Sequence, residues 1–228
     1  SDAARHSIDA TNFSNTGTVD AGIGHLAISG SGSDTGTYTV PLGARLEFFG
    51  GSRTLAAGSD ITGLGSLWLN TTVDVQGALS IAASGDGLLV AAGGADTVRF
   101  GAGTPGALVP ITIESGTLNL DGPAVTLPTL ALAGGTLGGS ADVTVTGNFD
   151  ASGQSATLAG TGTFTTAGSG LVRMDGVTGL LAVNKPWVNS GSLALEGDEQ
   201  FVFNSGGSGG VLTNAVGGQI LVTSVSAT

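Results

Sequence analysis

Apolar residues in this chain arrive in short pulses. The usual pulse is Leu-x-Leu, with small or polar residues between the leucines and glycine at the flanks. The clearest examples are Asn189-Ser-Gly-Ser-Leu-Ala-Leu-Glu-Gly197 and Glu114-Ser-Gly-Thr-Leu-Asn-Leu-Asp-Gly122. Asn15-Thr-Gly-Thr-Val-Asp20 is a shorter version, and Ala133-Gly-Gly-Thr-Leu137 is a degenerate one. Period-two alternation predicts β-strands with one apolar face. Further strands are predicted at Gly24–Ile28, Arg45–Phe49, Ser66–Leu69, Thr97–Phe100, Val143–Val145 and Gln200–Phe203. No window carries a helical apolar stripe free of glycine. Strands this short cannot bury an apolar face alone, but stacked copies can.

The spacing points the same way. Ile28, Leu46, Leu67, Leu88, Ile111, Leu130, Phe149, Leu171 and Leu193 follow one another at intervals of 18 to 23 residues. An interval near 20 with two or three strands in it fits one coil of a parallel β-helix. The expected fold class is therefore all-β: a right-handed parallel β-helix, or β-solenoid, of roughly 20-residue coils. Residues 1–228 are expected to form a single solenoid segment. An antiparallel sandwich is the competing reading. It fits less well with 42 glycines in 228 residues and an aromatic share of 5%. No domain boundary is evident. Ser205-Gly-Gly-Ser-Gly-Gly210 reads as a loop between coils, because a strand resumes at Val211. Neither end shows a polar cap or a secretion signal, which suggests a fragment of a longer chain.

Charge narrows the partners. Seventeen acidic residues against six basic ones give a formal net charge of −11. Such a chain disfavours nucleic acid, whose phosphates require clustered Lys and Arg. No apolar stretch is long enough for a membrane helix, so this segment is not expected to insert into a membrane. The absence of cysteine excludes disulfides, thiolate metal sites and a cysteine nucleophile.

Specific chemistry is sparse. Asp20, Asp34, Asp60, Asp74, Asp86, Asp96, Asp121, Asp142 and Asp150 sit at isolated turn-like positions, where carboxylates bond to backbone amides. Glu196, Asp198 and Glu199 form one local acidic cluster. Stacking can still bring acids about 20 residues apart into one row. His6 and His25 have no metal-ligand spacing and read as strand or surface residues. Gly93-Gly-Ala-Asp96 and Gly138-Gly-Ser-Ala-Asp142 match the calcium-binding nonapeptide only partly, so neither a metal nor a cofactor is expected. Threonine arrays of the kind that suit ice are expected to be out of register at Thr37-Tyr-Thr39 and Thr144-Val-Thr146. Trp68, Trp187, Tyr38, Phe48 and Phe49 are the side chains able to stack on sugars. Trp68 is the candidate binding residue: with Leu67 and Leu69 inward, its indole points out. Trp187 follows Pro186 and reads as a loop side chain covering the core.

Two stretches carry a resemblance. Asn189–Gly197 and Gly210-Val-Leu-Thr-Asn-Ala-Val-Gly-Gly-Gln-Ile-Leu-Val222 resemble the degenerate repeats of bacterial autotransporter passengers and filamentous-haemagglutinin-like surface adhesins. The resemblance implies a right-handed parallel β-helix, secreted and displayed on a Gram-negative cell surface. It implies adhesion, biofilm formation or a stalk rather than catalysis. The implied partner is a protein or glycan of a host or neighbouring cell. A polysaccharide-degrading enzyme on the same fold and a phage fibre segment are the alternatives.

Overall fold

The computed structural model describes residues 4–81, 87–91, 93, 96–101, 109–174, 179–197, 200–207 and 209–223. The chain folds as a parallel β-solenoid of about 9 turns, with roughly 21 residues per turn. Three faces wind in a fixed order. The first comprises β1 (Arg5–Ile8), β3 (His25–Ser29), the opening halves of β6 (Arg45–Leu55) and β8 (Ser66–Val75), β10 (Leu88–Ala91) and β12 (Ile111–Ser115). It continues through the closing halves of β14 (Val125–Leu132) and β16 (Val143–Ala151) to β19 (Ser169–Val172), β22 (Ser192–Glu196) and β25 (Gln219–Thr223). The second face holds β4 (Gly32–Asp34), the closing halves of β6 and β8, β11 (Thr97–Phe100), β13 (Thr117–Leu120), β15 (Gly135–Gly138), β17 (Ser155–Leu158), β20 (Leu180–Val183) and β23 (Gln200–Phe203). The third is described in two ladders. One is β2 (Thr18–Asp20), β5 (Thr37–Val40), β7 (Asp60–Gly63) and β9 (Ala78–Ile81). The other is the opening halves of β14 and β16, then β18 (Phe164–Thr166), β21 (Pro186–Asn189) and β24 (Val211–Asn214).

Each strand pairs in parallel with its counterpart one coil away, so like positions stack. One inward row on the first face runs Leu26, Leu46, Leu67, Leu88, Ile111, Leu130, Phe149, Gly170, Leu193 and Ile220. The row read from sequence is right from Leu46 to Phe149 and again at Leu193. Ile28 belongs to the adjacent inward row, opposite Phe48 and Leu69. Leu171 faces outward, opposite Asp150, and Gly170 takes its place. Volume explains the exchange: a Cβ on Gly170 would lie 2.9 Å from Leu193 Cδ1 and 3.6 Å from Phe149 Cδ1. The Leu193 side chain occupies the space that a Cβ at 170 would need, with the Phe149 ring in van der Waals contact beside it.

Trp187 overturns the loop assignment. It lies on β21, fully buried, directly opposite Phe164. Its ring meets Phe149 and Phe164 edge to face at 5.6 and 5.7 Å and stacks on Phe201 at 6.4 Å. Its indole N–H donates to Thr166 Oγ1 at 3.1 Å. Pro186 is tolerated in a paired strand because its ring sits at the strand's first residue. Below Trp187 runs a short amide ladder: Thr166 Oγ1 donates to Asn189 Oδ1 at 3.0 Å, and Asn189 Nδ2 donates to Asn214 Oδ1 at 2.8 Å.

The recurring Gly-Thr/Ser-Leu phrase marks corners rather than coils. Glu114–Gly122 turns from the first face to the second, Asn15–Asp20 from the second to the third, and Asn189–Gly197 from the third to the first. In each, the residues after the glycine send their alternate apolar side chains inward: Leu118 and Leu120, Val19, and Leu193 and Leu195.

Two interior charges break the apolar rule. Arg53 stands in the row above Val73, and Asp34 in the row above Leu55. Their side chains are 1% and 0% exposed and meet at 2.7 Å. Asp34 Oδ1 also accepts the Asn15 backbone N–H at 2.6 Å, and Arg53 donates to the carbonyls of Phe13 and Gly30 at 3.1 and 3.3 Å. Asp34 is thus a core residue, contrary to its turn-like setting in the sequence. Tyr38 lies beside this pair, and burial, with Asp34 second, pushes its phenol well above the ordinary value. Lys185 is the other case. It is completely buried at the corner between β20 and β21, and its Nζ has no hydrogen-bond partner.

Candidate functional site

Outward-facing aromatic and cationic side chains gather on the first coils of the first face. The parallel register lines up Arg5, His25 and Arg45 on β1, β3 and β6. It also lines up Ala27, Glu47 and Trp68 in the next outward column. Trp68 points outward, as alternation with Leu67 and Leu69 requires, and is half-buried. The Arg45 guanidinium lies over its ring at 3.5 Å, and His25 meets it edge-on at 5.9 Å. Phe48 and Phe49 divide between the faces: Phe48 is in the core, while Phe49 faces out beneath Arg5 at 4.5 Å. Tyr38 and Trp187 are interior and take no part.

Glu47 ties the group together. Arg5 Nε donates to Glu47 Oε2 at 3.2 Å, and His25 Nε2 stands 2.8 Å from the same oxygen. Glu47 is 6% exposed although it faces outward, and Ala27 beside it is fully covered. The flattened Arg, Trp, Phe and His side chains form that cover. Desolvation is the largest influence on His25 and lowers its pKa, with Arg45 and Arg5 acting in the same direction against the pull of Glu47. His25 is therefore neutral at pH 7, and its contact with Glu47 joins an imidazole, not an imidazolium, to a carboxylate. Guanidinium stacked on an aromatic face is held in a fixed plane.

Three of the remaining acids do the structural work their turns suggest, whereas Asp60, Asp74 and Asp150 lie on β7, β8 and β16. Asp20 accepts the Gly22 amide at 2.8 Å, Asp121 that of Ser140 at 3.1 Å, and Asp142 that of Thr163 at 2.7 Å. Stacking does assemble one charged row on the second face, where Arg99 bridges Asp121 at 2.9 Å and Asp74 at 3.6 Å. Asp86, Asp198 and Glu199 lie outside the described residues, as do Gly94 and Ala95 of the Gly93–Asp96 motif. Among the described residues, no group of three or more His, Cys, Asp or Glu could hold a metal.

The expectation of threonines out of register fails at Thr144, but Thr37 lies between Thr18 and Asp60 and Thr39 between Asp20 and Thr62. Thr72, Thr97, Thr117, Thr136 and Thr157 form an outward column on the second face. Thr126, Thr144 and Thr165 form another on the third. Coils of unequal length absorb their differences at corners, so the strands stay aligned. On the second face the flanking column is Asp74, Arg99 and Asn119, so that hydroxyl column stands single. A shallow groove of about 320 Å³ runs beside it, lined by Ser115, Thr117, Thr136, Ser155 and Thr157.

The Arg5–His25–Arg45 grouping escaped sequence reasoning, although the signal was present. The three residues are spaced by 20, one coil, as are Glu47 and Trp68 by 21. No family model, curated protein or solved structure matches the chain.

Proposed function

We propose that the chain is a rigid structural and adhesive segment of a secreted bacterial surface protein, not an enzyme. The observation that carries this reading is the unbroken parallel ladder of the first face from β1 to β25. Such a ladder resists bending because every coil is fixed to two neighbours. Its eleven strands are separated by ten steps of about 4.8 Å, so it spans about 48 Å. A rod of this kind holds an outer face at a set distance from its anchorage and repeats contacts along its length. The cysteine-free, glycine-rich composition and the repeat style agree with display on a Gram-negative cell. Beads coated with the purified chain are expected to adhere to bacterial or host cells above an albumin-coated control. Adherence no greater than the control, together with sugar release from a polysaccharide panel, would replace adhesion with an enzymatic role.

A further inference from the structure

We propose that His25 is an acid-operated latch whose protonation releases β1 from the first face. Its side chain is 12% exposed and sits in the outward column between Arg5 and Arg45. The charged groups facing it are Arg5 on β1 and Arg45 and Glu47 on β6. Trp68 on β8 closes the pocket with an uncharged ring, met edge-on at 5.9 Å. One carboxylate oxygen serves two coils. Glu47 Oε2 accepts from Arg5 Nε at 3.2 Å and lies 2.8 Å from His25 Nε2. Once protonated, His25 competes with Arg5 for that oxygen as a cation, and it adds positive charge between two guanidinium groups.

The opening falls on β1 because that strand is the lightest part of the cover. Among the described residues it pairs with β3 alone, and Arg5, His6 and Ser7 are exposed. From Thr11 onward the coil is held independently. Ser31 N–H donates to the Thr11 carbonyl at 3.1 Å, Phe13 N–H to the Ser31 carbonyl at 2.9 Å, and Asn15 N–H to interior Asp34 at 2.6 Å. Asp9 and Ala10 join the two parts, so β1 can swing out while Thr11–Asn15 stay docked. Burial, with Arg45 and Arg5 assisting, outweighs Glu47, so His25 takes a proton less readily while β1 is closed. Swinging β1 out returns the imidazole toward water, where its ordinary value is 6.5. The closed form's advantage is complete above pH 6.5 and is lost as the pH falls through the depressed value. Opening bares the backbone edge of β3 beside Leu26 and Ile28, an edge able to accept another strand.

Hydrogen exchange of the whole chain at pH 7 and pH 5, corrected for the intrinsic pH dependence of amide exchange, is the test. Protection of β1 and of the β3 amides paired with it is expected to fall severalfold in acid. The amides of Phe13 and Asn15 and the ladders after β8 should keep theirs. The His25 ring should titrate by NMR with a midpoint below 6.5, and β1 protection should be lost around that midpoint. His25→Gln should keep β1 protected at both pH values. His6→Gln, on the other side of β1, should respond to acid like the parent chain. Arg5→Gln should weaken β1 protection already at pH 7. Constant protection from pH 7 to pH 5 would overturn the proposal. So would an acid response in His25→Gln, its loss in His6→Gln, or a loss spread evenly over the coils. If His25→Gln fails to fold, the ring titration in the parent chain decides, and a midpoint at or above 6.5 sinks the latch.

Discussion

Lys185 is the residue whose burial is least compensated. Desolvation lowers its pKa from 10.5 to about 8, against a weaker opposing pull from Asp142. The folded state therefore holds fewer protons than the unfolded state between pH 8 and 10.5, so stability rises with pH across that window. Removing the charge should stabilise the fold by about 3 kcal/mol at pH 7. Urea unfolding of Lys185→Met should show this gain, and the gain should shrink above pH 8 and vanish above pH 10.5. Above pH 10 the raised Tyr38 pKa acts in the opposite sense, since the unfolded phenol ionises first and stability falls. Arg53 is charged in the same interior but paired. Arg53→Met should cost about 3–5 kcal/mol by leaving Asp34 uncompensated, and adding Asp34→Leu should recover most of that loss. Trp187→Ala should cost about 3–5 kcal/mol in the same assay. Lys185, Trp187 and Asp34 were not legible as core residues. Lys185 and Trp187 flank a proline that looks like a break, and Asp34 follows the glycine and serine of an apparent turn. What decides each is the volume and charge of a neighbour about 20 residues away, which local pattern does not contain.

At the level of strands and corners, much more was legible. Period-two alternation located most strands and assigned Leu67, Trp68 and Leu69 to their correct sides. The lengths were less legible. Arg45–Phe49 reads as a short strand, yet β6 continues to Leu55 through Gly50 and Gly51, both at positive φ (62° and 77°). Two glycines in sequence look like a terminus, whereas here they let one strand turn a corner and pair again. Corner glycines also permit close stacking of coils. Gly160 has φ 93°, and a Cβ there would lie 2.0 Å from the Gly139 carbonyl oxygen one coil away. Gly160→Ala combines backbone strain with that collision, so it should destabilise by about 1–3 kcal/mol. Gly43, at φ 80° with nothing within 4 Å, isolates the backbone effect alone. Gly43→Ala should cost less than Gly160→Ala in parallel urea titrations, and equal costs would mean that coil contact at the corner is unimportant.

For the whole molecule, the repeat phrase misleads if it is taken as the unit of counting, because it serves all three corners. The coil is the unit that stacks, and its register makes a sharp prediction. Leu130 and Phe149 occupy equivalent rungs, as do Thr129 and Asn148. Deleting residues 130–148 joins Thr129 to Phe149 and removes one coil while keeping every later strand on its own face. The shortened chain should fold, remain all-β by circular dichroism, and lose about 4.8 Å of length by small-angle X-ray scattering. Deleting residues 130–139 instead removes about half a coil. Every following strand would then move to the wrong face, and inward Phe149, Phe164 and Trp187 would have no common interior. That chain should aggregate or unfold. If both deletions behave alike, coil register does not govern the stack.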